Sequence, residues 1–331
     1  MPEPAPASPP TSRWLDRIDR RAIAIRVGLA TALLVTALST NRSYLGWGLF
    51  VIFAILFVPI TRIRSFLFSF ISYATVWFVF TLLRSLADET ILARTINTQV
   101  FYLERWLFGG QIPTIMLQDR LYKPPTLHWW DYATTIVHWS YFIIPHVVAI
   151  RLWQKHPRLF RQYLAALTLL LGMGLAIYFL IPTNPPWLAP EPVNSPSAAP
   201  VYRIMEEISR NLGGGLYTAT YRVVGESNPI AAMPSIHTAI TALLIFPAYR
   251  RGRRWFVASL LYTAAMGYTL VYTGEHYVLD VAAGILVATF GWIGAGAWRS
   301  RLSPYLLRTA PPFPPPPADP LMKGVEGIVA D

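Results

Sequence analysis

The sequence predicts an all-α polytopic membrane protein with about eight membrane-spanning helices. Hydrophobic residues make up 54% of the 331 residues and charged residues only 14%, and the mean hydropathy is +0.40. Several apolar runs approach the roughly 20 residues that a helix needs to cross the hydrocarbon core of a bilayer. The chain contains no cysteine, which excludes disulfides, thiolate nucleophiles and cysteine-ligated metals.

Apolar segments define the helices in order along the chain. The segments lie at about residues 22–40, 43–60, 64–86, 131–152, 160–182, 234–250, 255–273 and 277–298. We expect the first two to form accessory spans within residues 22–63, ahead of a membrane core at residues 64–302. The Pro-rich ends, residues 1–21 and 303–331, cannot build a core, and we expect the N-terminal tail to be disordered.

Basic residues in alternate loops predict the orientation of the chain. One set of loops carries roughly twice as many Arg and Lys residues as the other, and such residues are enriched on the cytoplasmic side. The richer set includes both chain ends and the cluster at residues 250–254. We therefore expect a multi-pass cell-membrane protein with both termini in the cytoplasm. The net charge of +11 is dispersed over short loops and no recognition module occurs, so no nucleic-acid partner is expected.

Two long loops fall on the predicted extracytoplasmic side. The first carries four apolar residues at helical spacing, and this pattern predicts an amphipathic helix that lies in the membrane interface. These residues are Ile96, Val100, Leu103 and Leu107, with Gln99, Glu104 and Arg105 on the other faces. The second loop, residues 182–232, is rich in Pro, Ser, Asn and Gly, and loops of that length are usually functional or disordered.

Two short motifs each place a histidine at the predicted start of an apolar segment. They are Met-Pro-Ser-Ile-His-Thr at residues 233–238 and Thr-Gly-Glu-His-Tyr-Val-Leu-Asp at residues 273–280. Because Pro234 suits the first turn of a helix, we expect Ser235 and His237 within that turn. Free N–H groups and the helix dipole favour an anion such as phosphate there.

The second motif pairs His276 with Asp280. We expect Thr273 or Gly274 to cap the last helix, with His276 in its opening turn and Asp280 one turn below on the same face. An aspartate that accepts a hydrogen bond from one imidazole nitrogen leaves the other nitrogen free to attack phosphorus. His237 would protonate the departing oxygen and later deprotonate the incoming alcohol or water.

A structural role is the alternative interpretation for an isolated histidine. We interpret the remaining histidines as hydrogen-bonded interface residues, namely His128, His138, His146 and His156. Asp280 differs from them, because a carboxylate inside an apolar span costs roughly 2.5–3.5 kcal/mol, and this cost favours a functional role. Metal ligation by His276 and Asp280 is a weaker alternative, since no further ligand cluster stands at suitable spacing. No metal or cofactor is expected.

At these motifs the sequence resembles the membrane branch of the type 2 phosphatidic acid phosphatase superfamily. Within that branch it is most similar to inositol phosphorylceramide synthases and their bacterial relatives, and more distantly to sphingomyelin synthases. The likeness rests on Pro-Ser-x-His at 234–237, His-Tyr-x-x-Asp at 276–280 and Pro-Thr-Asn-Pro-Pro-Trp at 182–187. Arg84, at the outer end of the third span, matches an early arginine of the branch.

The resemblance covers about residues 64–298 and implies both a fold and a set of roles. It implies a six-helix core, no metal, a His276 nucleophile oriented by Asp280, and His237 as the acid and base.

The chain departs from the superfamily's pattern in the residues that bind phosphate. No Lys…Arg-Pro motif precedes His237, and Leu270 stands where an arginine is usual. Ile236 replaces the usual glycine after the motif serine. Phosphate must therefore be held by other residues.

The candidates for substrate binding are Ser235, Arg84, Arg222, Trp187 and Tyr277. Ser235 and the arginines would offer donors to the phosphoryl charge. For Arg222, an interfacial arginine that extends to lipid headgroups is an equal alternative. Trp187 would wall the acceptor pocket, whereas Tyr277 either hydrogen-bonds phosphate or anchors the interface.

Three functions remain open from the sequence. The favoured one, because the phosphatase arginines are missing, is an enzyme that moves a phosphoinositol-like headgroup from a phospholipid donor to a lipid alcohol acceptor through a phosphohistidine. The second is hydrolysis of lipid phosphates or pyrophosphates with water as acceptor. The third is a transporter or lipid-binding protein, although no internal repeat of the kind many transporters show is present. Nothing in the sequence reports the oligomeric state.

Overall fold

The protein is built from α-helices joined by loops. The computed structural model describes residues 28, 31–32, 63–95, 97–188, 201–212 and 231–306, and in this part of the chain there is no β-strand beyond isolated bridges. Apart from the first three of these residues, the two accessory spans predicted within residues 22–63 lie outside the described part. Residues 1–21 and most of the predicted C-terminal tail lie outside it as well.

The helices of the described part are numbered here in chain order. They are α1 (Ile63–Arg84), α2 (Ile91–Thr95), α3 (Gln99–Leu107), α4 (Pro113–Leu121), α5 (Trp129–Ser140), α6 (Ile144–Lys155), α7 (Pro157–Leu180), α8 (Ile204–Asn211), α9 (Ile236–Leu243), α10 (Ile245–Tyr249), α11 (Arg253–Tyr272) and α12 (Val278–Leu306). Because α12 ends at Leu306, the first residues of the segment predicted as a tail are helical.

Five helical segments in the described residues are long and apolar enough to cross a membrane. They are Phe66–Arg84, Trp129–Lys155, Pro157–Leu180, Arg253–Tyr272 and Val278–Ala297. A further apolar stretch, Ile236–Tyr249, is shorter than these five. A helix satisfies all of its own backbone hydrogen bonds, which is what a bilayer interior requires. The predicted class, an all-α polytopic membrane protein, is confirmed.

The centre of the core is the packing of α7, α9 and α12 against one another. Glycines on α12 make this packing close, as small residues commonly do between membrane helices. A Cβ atom on Gly291 would lie 2.8 Å from the carbonyl oxygen of Ala166 in α7, and one on Gly284 would lie 2.5 Å from the carbonyl oxygen of Ser235. The first turn of α9 is thereby held directly against α12.

The helix predicted in the first long loop is present as α3, and a charged residue lies on the side that contacts the rest of the protein. Val100 and Glu104 are buried, whereas Leu103 and Leu107 are both 49% exposed. Ile96 lies outside the described residues. The acidic side chain points inward because it reaches the first turn of α12, a contact that helical periodicity cannot reveal.

Substituting Gly284 by alanine tests the close approach of α9 and α12. The added Cβ would overlap a backbone oxygen that cannot rotate away, so we expect a loss of about 1–3 kcal/mol in stability. The melting temperature of the purified protein should fall measurably. Gly172→Ala is the matched control, because a Cβ there meets nothing within 4 Å and alanine favours a helix. Equal melting temperatures for the two variants would contradict the proposed packing.

Candidate active site

The first motif forms the capped start of α9. Ser235 is the N-cap residue, and its Oγ accepts a hydrogen bond from the N–H of Thr238 at 3.3 Å. The helix begins at Ile236, so His237 lies in the first turn, as predicted. Pro234 stands before the cap, so its predicted place in the first turn is wrong by two positions, within the usual uncertainty of a helix boundary.

The second motif joins α11 to α12 through a tight turn. Because α12 begins at Val278, His276 lies just before the helix and not in its opening turn. The prediction that Thr273 or Gly274 caps this helix is wrong. Thr273 ends α11, where its hydroxyl donates to the carbonyl of Thr269. Gly274 has a φ of 83°, a conformation that glycine adopts without strain.

Asp280 orients the turn and the histidine together. Its Oδ2 accepts the N–H of Tyr277 at 2.9 Å and lies 3.3 Å from Nδ1 of His276. A buried carboxylate in its ionised form only accepts hydrogen bonds, so Nδ1 of His276 carries the hydrogen and Nε2 keeps its lone pair. The other oxygen, Oδ1, is buried and has no hydrogen-bond partner among the described residues.

The two motifs meet directly. The backbone N–H of Ser235 donates to the backbone carbonyl of Asp280 at 3.0 Å. The ring centroids of His237 and His276 are 5.9 Å apart. A phosphoryl group between two such rings would lie within reach of both, so the convergence expected from the sequence is present in the structure.

The run at residues 182–187 supports both motifs. The carbonyl of Thr183 accepts the N–H of Ala232 at 3.2 Å, just ahead of the first motif. Trp187 donates its backbone N–H to the carbonyl of Gly274 at 3.3 Å, within the second motif. The indole ring of Trp187 is half-buried and lies 4.5 Å beneath the guanidinium of Arg203.

A third histidine lies in the site, and sequence reasoning missed it. His138, in α5, places Nε2 3.1 Å from Nε2 of His237 and is only 2% exposed. The sequence predicts a hydrogen-bonded interface residue at this position. A signal was available, however, because His138 falls well inside the predicted span 131–152, where polar side chains are costly and usually functional.

Two arginines from distant segments lie near the motifs. The guanidinium of Arg84, at the end of α1, lies 6.0 Å from the ring centre of Tyr178, whose hydroxyl donates to the carbonyl of Pro234. The predicted Arg222 lies outside the described residues. Arg203, which the sequence did not single out, forms a bidentate ion pair with Glu275 at 2.8 and 3.3 Å.

Leu270 stands at the position where the resemblance stated above leads us to expect an arginine. It is fully buried in the core, and its carbonyl accepts the N–H groups of both Glu275 and His276, at 3.0 and 3.1 Å. At this position the chain therefore contributes packing and a turn, with no positive charge.

Tyr277 is buried beneath the helix α3. It is 0% exposed and packs with Val100, Phe101 and Ile112, which contradicts its interpretation as an interfacial anchor. Its hydroxyl has no hydrogen-bond partner among the described residues. A hydrogen bond from this hydroxyl to phosphate stays a prediction.

Glu104 is a buried carboxylate next to the second motif. Its Oε2 accepts the N–H of Leu279 in the first turn of α12 at 2.9 Å. Burial raises the pKa of Glu104 from 4.5 to about 7, and the nearby charge of Asp280 acts in the same direction. This hydrogen bond connects α3 to the first turn of α12, the helix that carries Asp280.

An apolar groove runs along the outside of the core beside this helix. Its volume is about 640 Å³, and it is lined by residues of α4, α11 and α12, together with Ile245 of α10 and Phe108 just after α3. Val278 in its wall stands two residues after His276. The groove offers almost no polar surface, which suits a hydrocarbon chain.

Comparison with known proteins identifies the class of the chain. The family model described as "PAP2 superfamily" matches residues 98–294, a range that includes both histidine motifs, and the chain belongs to this superfamily. The resemblance predicted from the motifs is confirmed.

One curated relative is named phosphoinositol dihydroceramide synthase and comes from Bacteroides thetaiotaomicron. The chain is 27% identical to it over 205 residues, which cover 59% of the chain and 65% of the relative. The matched part is thus under two thirds of the relative's length. No solved structure matches the chain significantly.

The described residues contain no group of three or more His, Cys, Asp or Glu side chains placed to hold a metal ion. Ligation by His276 and Asp280 would therefore require ligands from outside this part of the chain.

The raised pKa of Glu104 predicts a pH dependence of stability. Because the folded state binds this proton more tightly than the unfolded chain, the stabilisation is complete below about pH 4.5 and is lost as the pH rises through about 7. The melting temperature should fall between pH 5 and pH 8. Glu104→Gln should flatten this decline, since the amide stays neutral and its oxygen still accepts the N–H of Leu279.

Glu206→Gln is the control for this measurement, because Glu206 lies in an exposed ion pair with Arg210, and such pairs contribute little. It should keep the wild-type pH profile. If the glutamine at position 104 left the profile unchanged, Glu104 would not be the titrating group.

Proposed function

We propose that this protein is a lipid phosphotransferase that moves a phosphoinositol-like headgroup from a membrane phospholipid to a lipid alcohol. The observation that carries the proposal is the pairing of His276, held through Nδ1 by Asp280, with His237 at a ring separation of 5.9 Å. The relative named phosphoinositol dihydroceramide synthase supports the choice of headgroup and of a ceramide-like acceptor. The apolar groove beside α12 supports a substrate with hydrocarbon chains.

In the first step, Nε2 of His276 attacks the phosphorus of the donor lipid. The bond from phosphorus to the diacylglycerol oxygen breaks, and protonated His237 gives its proton to that oxygen, which releases diacylglycerol. The headgroup remains on His276 as a phosphohistidine. Asp280 stabilises the imidazole as it becomes positively charged, because its carboxylate faces Nδ1.

In the second step, His237 acts as the base. It takes the proton of the lipid alcohol, whose oxygen attacks phosphorus, and the bond to Nε2 of His276 breaks. Both histidines then return to their starting protonation states. Water in place of the alcohol would give hydrolysis, with the same residues in the same roles.

Charge on the transferring group would be held by side chains that differ from those of the phosphatases. Arg84 lies over the ring of Tyr178, whose hydroxyl bonds the carbonyl of Pro234 in the first motif, and Arg203 pairs with Glu275 next to His276. These are the arginines for which the structure supports a role. Arg222 and the hydroxyl of Ser235 stay further candidates, and Trp187 would wall the acceptor side.

We further propose that the site faces the extracytoplasmic side and that both termini are cytoplasmic. The support is the cluster of arginines at residues 250–254, which follows α10 at the end of the Ile236–Tyr249 stretch opposite to His237. Clusters of this kind mark the cytoplasmic boundary.

The roles of the three central residues are tested by substitution in a lipid-transfer assay. His276→Ala should abolish transfer from labelled phosphatidylinositol to ceramide, and no acid-labile label should remain on the protein. His237→Ala and Asp280→Asn should each lower the rate by about 10²–10⁴-fold, since proton transfer and the orientation of the nucleophile are lost.

His156→Ala is the matched control, because this histidine lies between α6 and α7 and belongs to neither motif. The acceptor is identified by omitting ceramide: release of free inositol phosphate at an undiminished rate would show hydrolysis. Loss of lipid movement with no covalent label at any stage would favour a transporter.

The orientation of the protein in the membrane is tested with single-cysteine variants, which need no other change because the chain contains no cysteine. A membrane-impermeant maleimide added to intact cells should label Asp119→Cys, on α4 near the site, and should not label Arg251→Cys. Both positions are exposed. Labelling of Arg251→Cys alone would place the active site on the cytoplasmic side.

A further inference from the structure

We propose that His138 is a positioning residue that makes Nδ1 of His237 the nitrogen that exchanges a proton with the substrate. The proposal rests on the acid–base role proposed for His237. It concerns which atom performs that role and what holds it in place.

The first observation is the contact between the two rings. Nε2 of His138 lies 3.1 Å from Nε2 of His237, which is a hydrogen-bond distance. Two neutral imidazoles at this distance must share one hydrogen, so one nitrogen donates and the other accepts. The contact alone does not show which of the two nitrogens carries the hydrogen.

The second observation is the partner on the other side of His138. Its Nδ1 lies against Sδ of Met205, which is fully buried in α8. A thioether sulfur has no hydrogen to give and accepts only weakly, so a bare Nδ1 would have no donor to face there. The hydrogen of neutral His138 therefore belongs on Nδ1, and its Nε2 carries a lone pair.

A doubly protonated His138 does not fit this environment. The ring is 2% exposed within a membrane-spanning helix, and among the described residues its two nitrogens contact only Met205 and His237. An imidazolium in that space would be neither solvated nor balanced by a negative charge. His138 is therefore neutral and acts as the acceptor.

The orientation of His237 follows from that of His138. Its Nε2–H donates to His138, so the lone pair of neutral His237 is on Nδ1. This nitrogen takes the proton of the alcohol. In the protonated state it gives a proton to the leaving oxygen, while Nε2–H stays bonded to His138. The two reacting nitrogens thus differ: Nε2 on His276, which Asp280 holds through Nδ1, and Nδ1 on His237.

One short segment contacts the surroundings of both reacting histidines. Residues 201–212 carry Met205 against His138, and they also carry Arg203, which pairs with Glu275 next to His276. The segment packs on α5 through α8. Its position explains how a residue outside both motifs can set the protonation pattern of the site.

The direct test is ¹⁵N NMR of the purified protein labelled only in its 6 histidines. The signals of His237 are assigned by their loss in His237→Gln. The wild type at neutral pH should show Nε2 protonated and Nδ1 bare on His237. In His138→Phe the acceptor is absent, so the two tautomers should become mixed. His138→Gln should preserve the wild-type pattern, because its amide oxygen can accept Nε2–H.

Kinetics supply the second readout. His138→Phe should lower kcat by about 10- to 100-fold, the usual value of a hydrogen bond to a charged group, with KM for the donor lipid nearly unchanged. His138→Gln should restore most of the loss. Met205→Leu is close in volume and is expected to fold, and it should mix the tautomers of His237 without removing either imidazole.

His146→Phe is the matched control, because it removes another buried imidazole, one that bonds Tyr73 and does not contact His237. It should leave the tautomer of His237 unchanged. The proposal is overturned if wild-type His237 is protonated on Nδ1 with a bare Nε2, or if His138→Phe changes neither the tautomer nor kcat. The expected tautomer in a protein that transfers no lipid headgroup would refute the proposed function alone.

Discussion

The distance between the two motif histidines depends on one backbone hydrogen bond, from the N–H of Ser235 to the carbonyl of Asp280. Each motif sits where a helix begins, and a helix start leaves N–H groups that need partners. Asp280 serves both starts: its carbonyl takes the N–H ahead of α9, and its carboxylate takes the N–H of Tyr277 and faces His276. Gly284, one turn further along α12, leaves the space that this meeting requires. A single acidic residue thus sets both the chemistry of one ring and the position of the other.

Much of the fold could be predicted from the sequence, because its signals are local. Membrane spans show as apolar runs, and the two motifs show as unusual polar residues at the ends of such runs. The N-cap of the last helix could not be predicted from residue type. Thr273 and Gly274 precede that helix and are residue types that often cap helices, yet they belong to the turn that ends α11. The carboxylate inside the helix does the capping instead.

The rest of the site depends on contacts between distant segments. Glu104 on a loop helix reaches Leu279, His138 reaches His237 across 99 positions of sequence, and Arg203 reaches Glu275. Helical periodicity places Glu104 away from the apolar face of its helix, and it cannot show which helix will lie opposite a given side chain. The missing superfamily arginine at Leu270 illustrates the same limit, since the nearby positive charges come from elsewhere in the chain.

The apolar stretch Ile236–Tyr249 is shorter than the membrane-spanning helices around it, and its length bears on which acceptor molecules can reach the site. Just beyond its arginine-rich end, Arg250 stacks on Trp292 of α12, and from there the stretch rises only roughly 20 Å to His237. The hydrocarbon layer is roughly 30 Å thick, so in the proposed orientation the paired histidines would lie below the level of the headgroups, where water is scarce. In the proposed mechanism, a headgroup bound to His276 would then be transferred to a lipid alcohol that reaches the site by lateral diffusion within the leaflet.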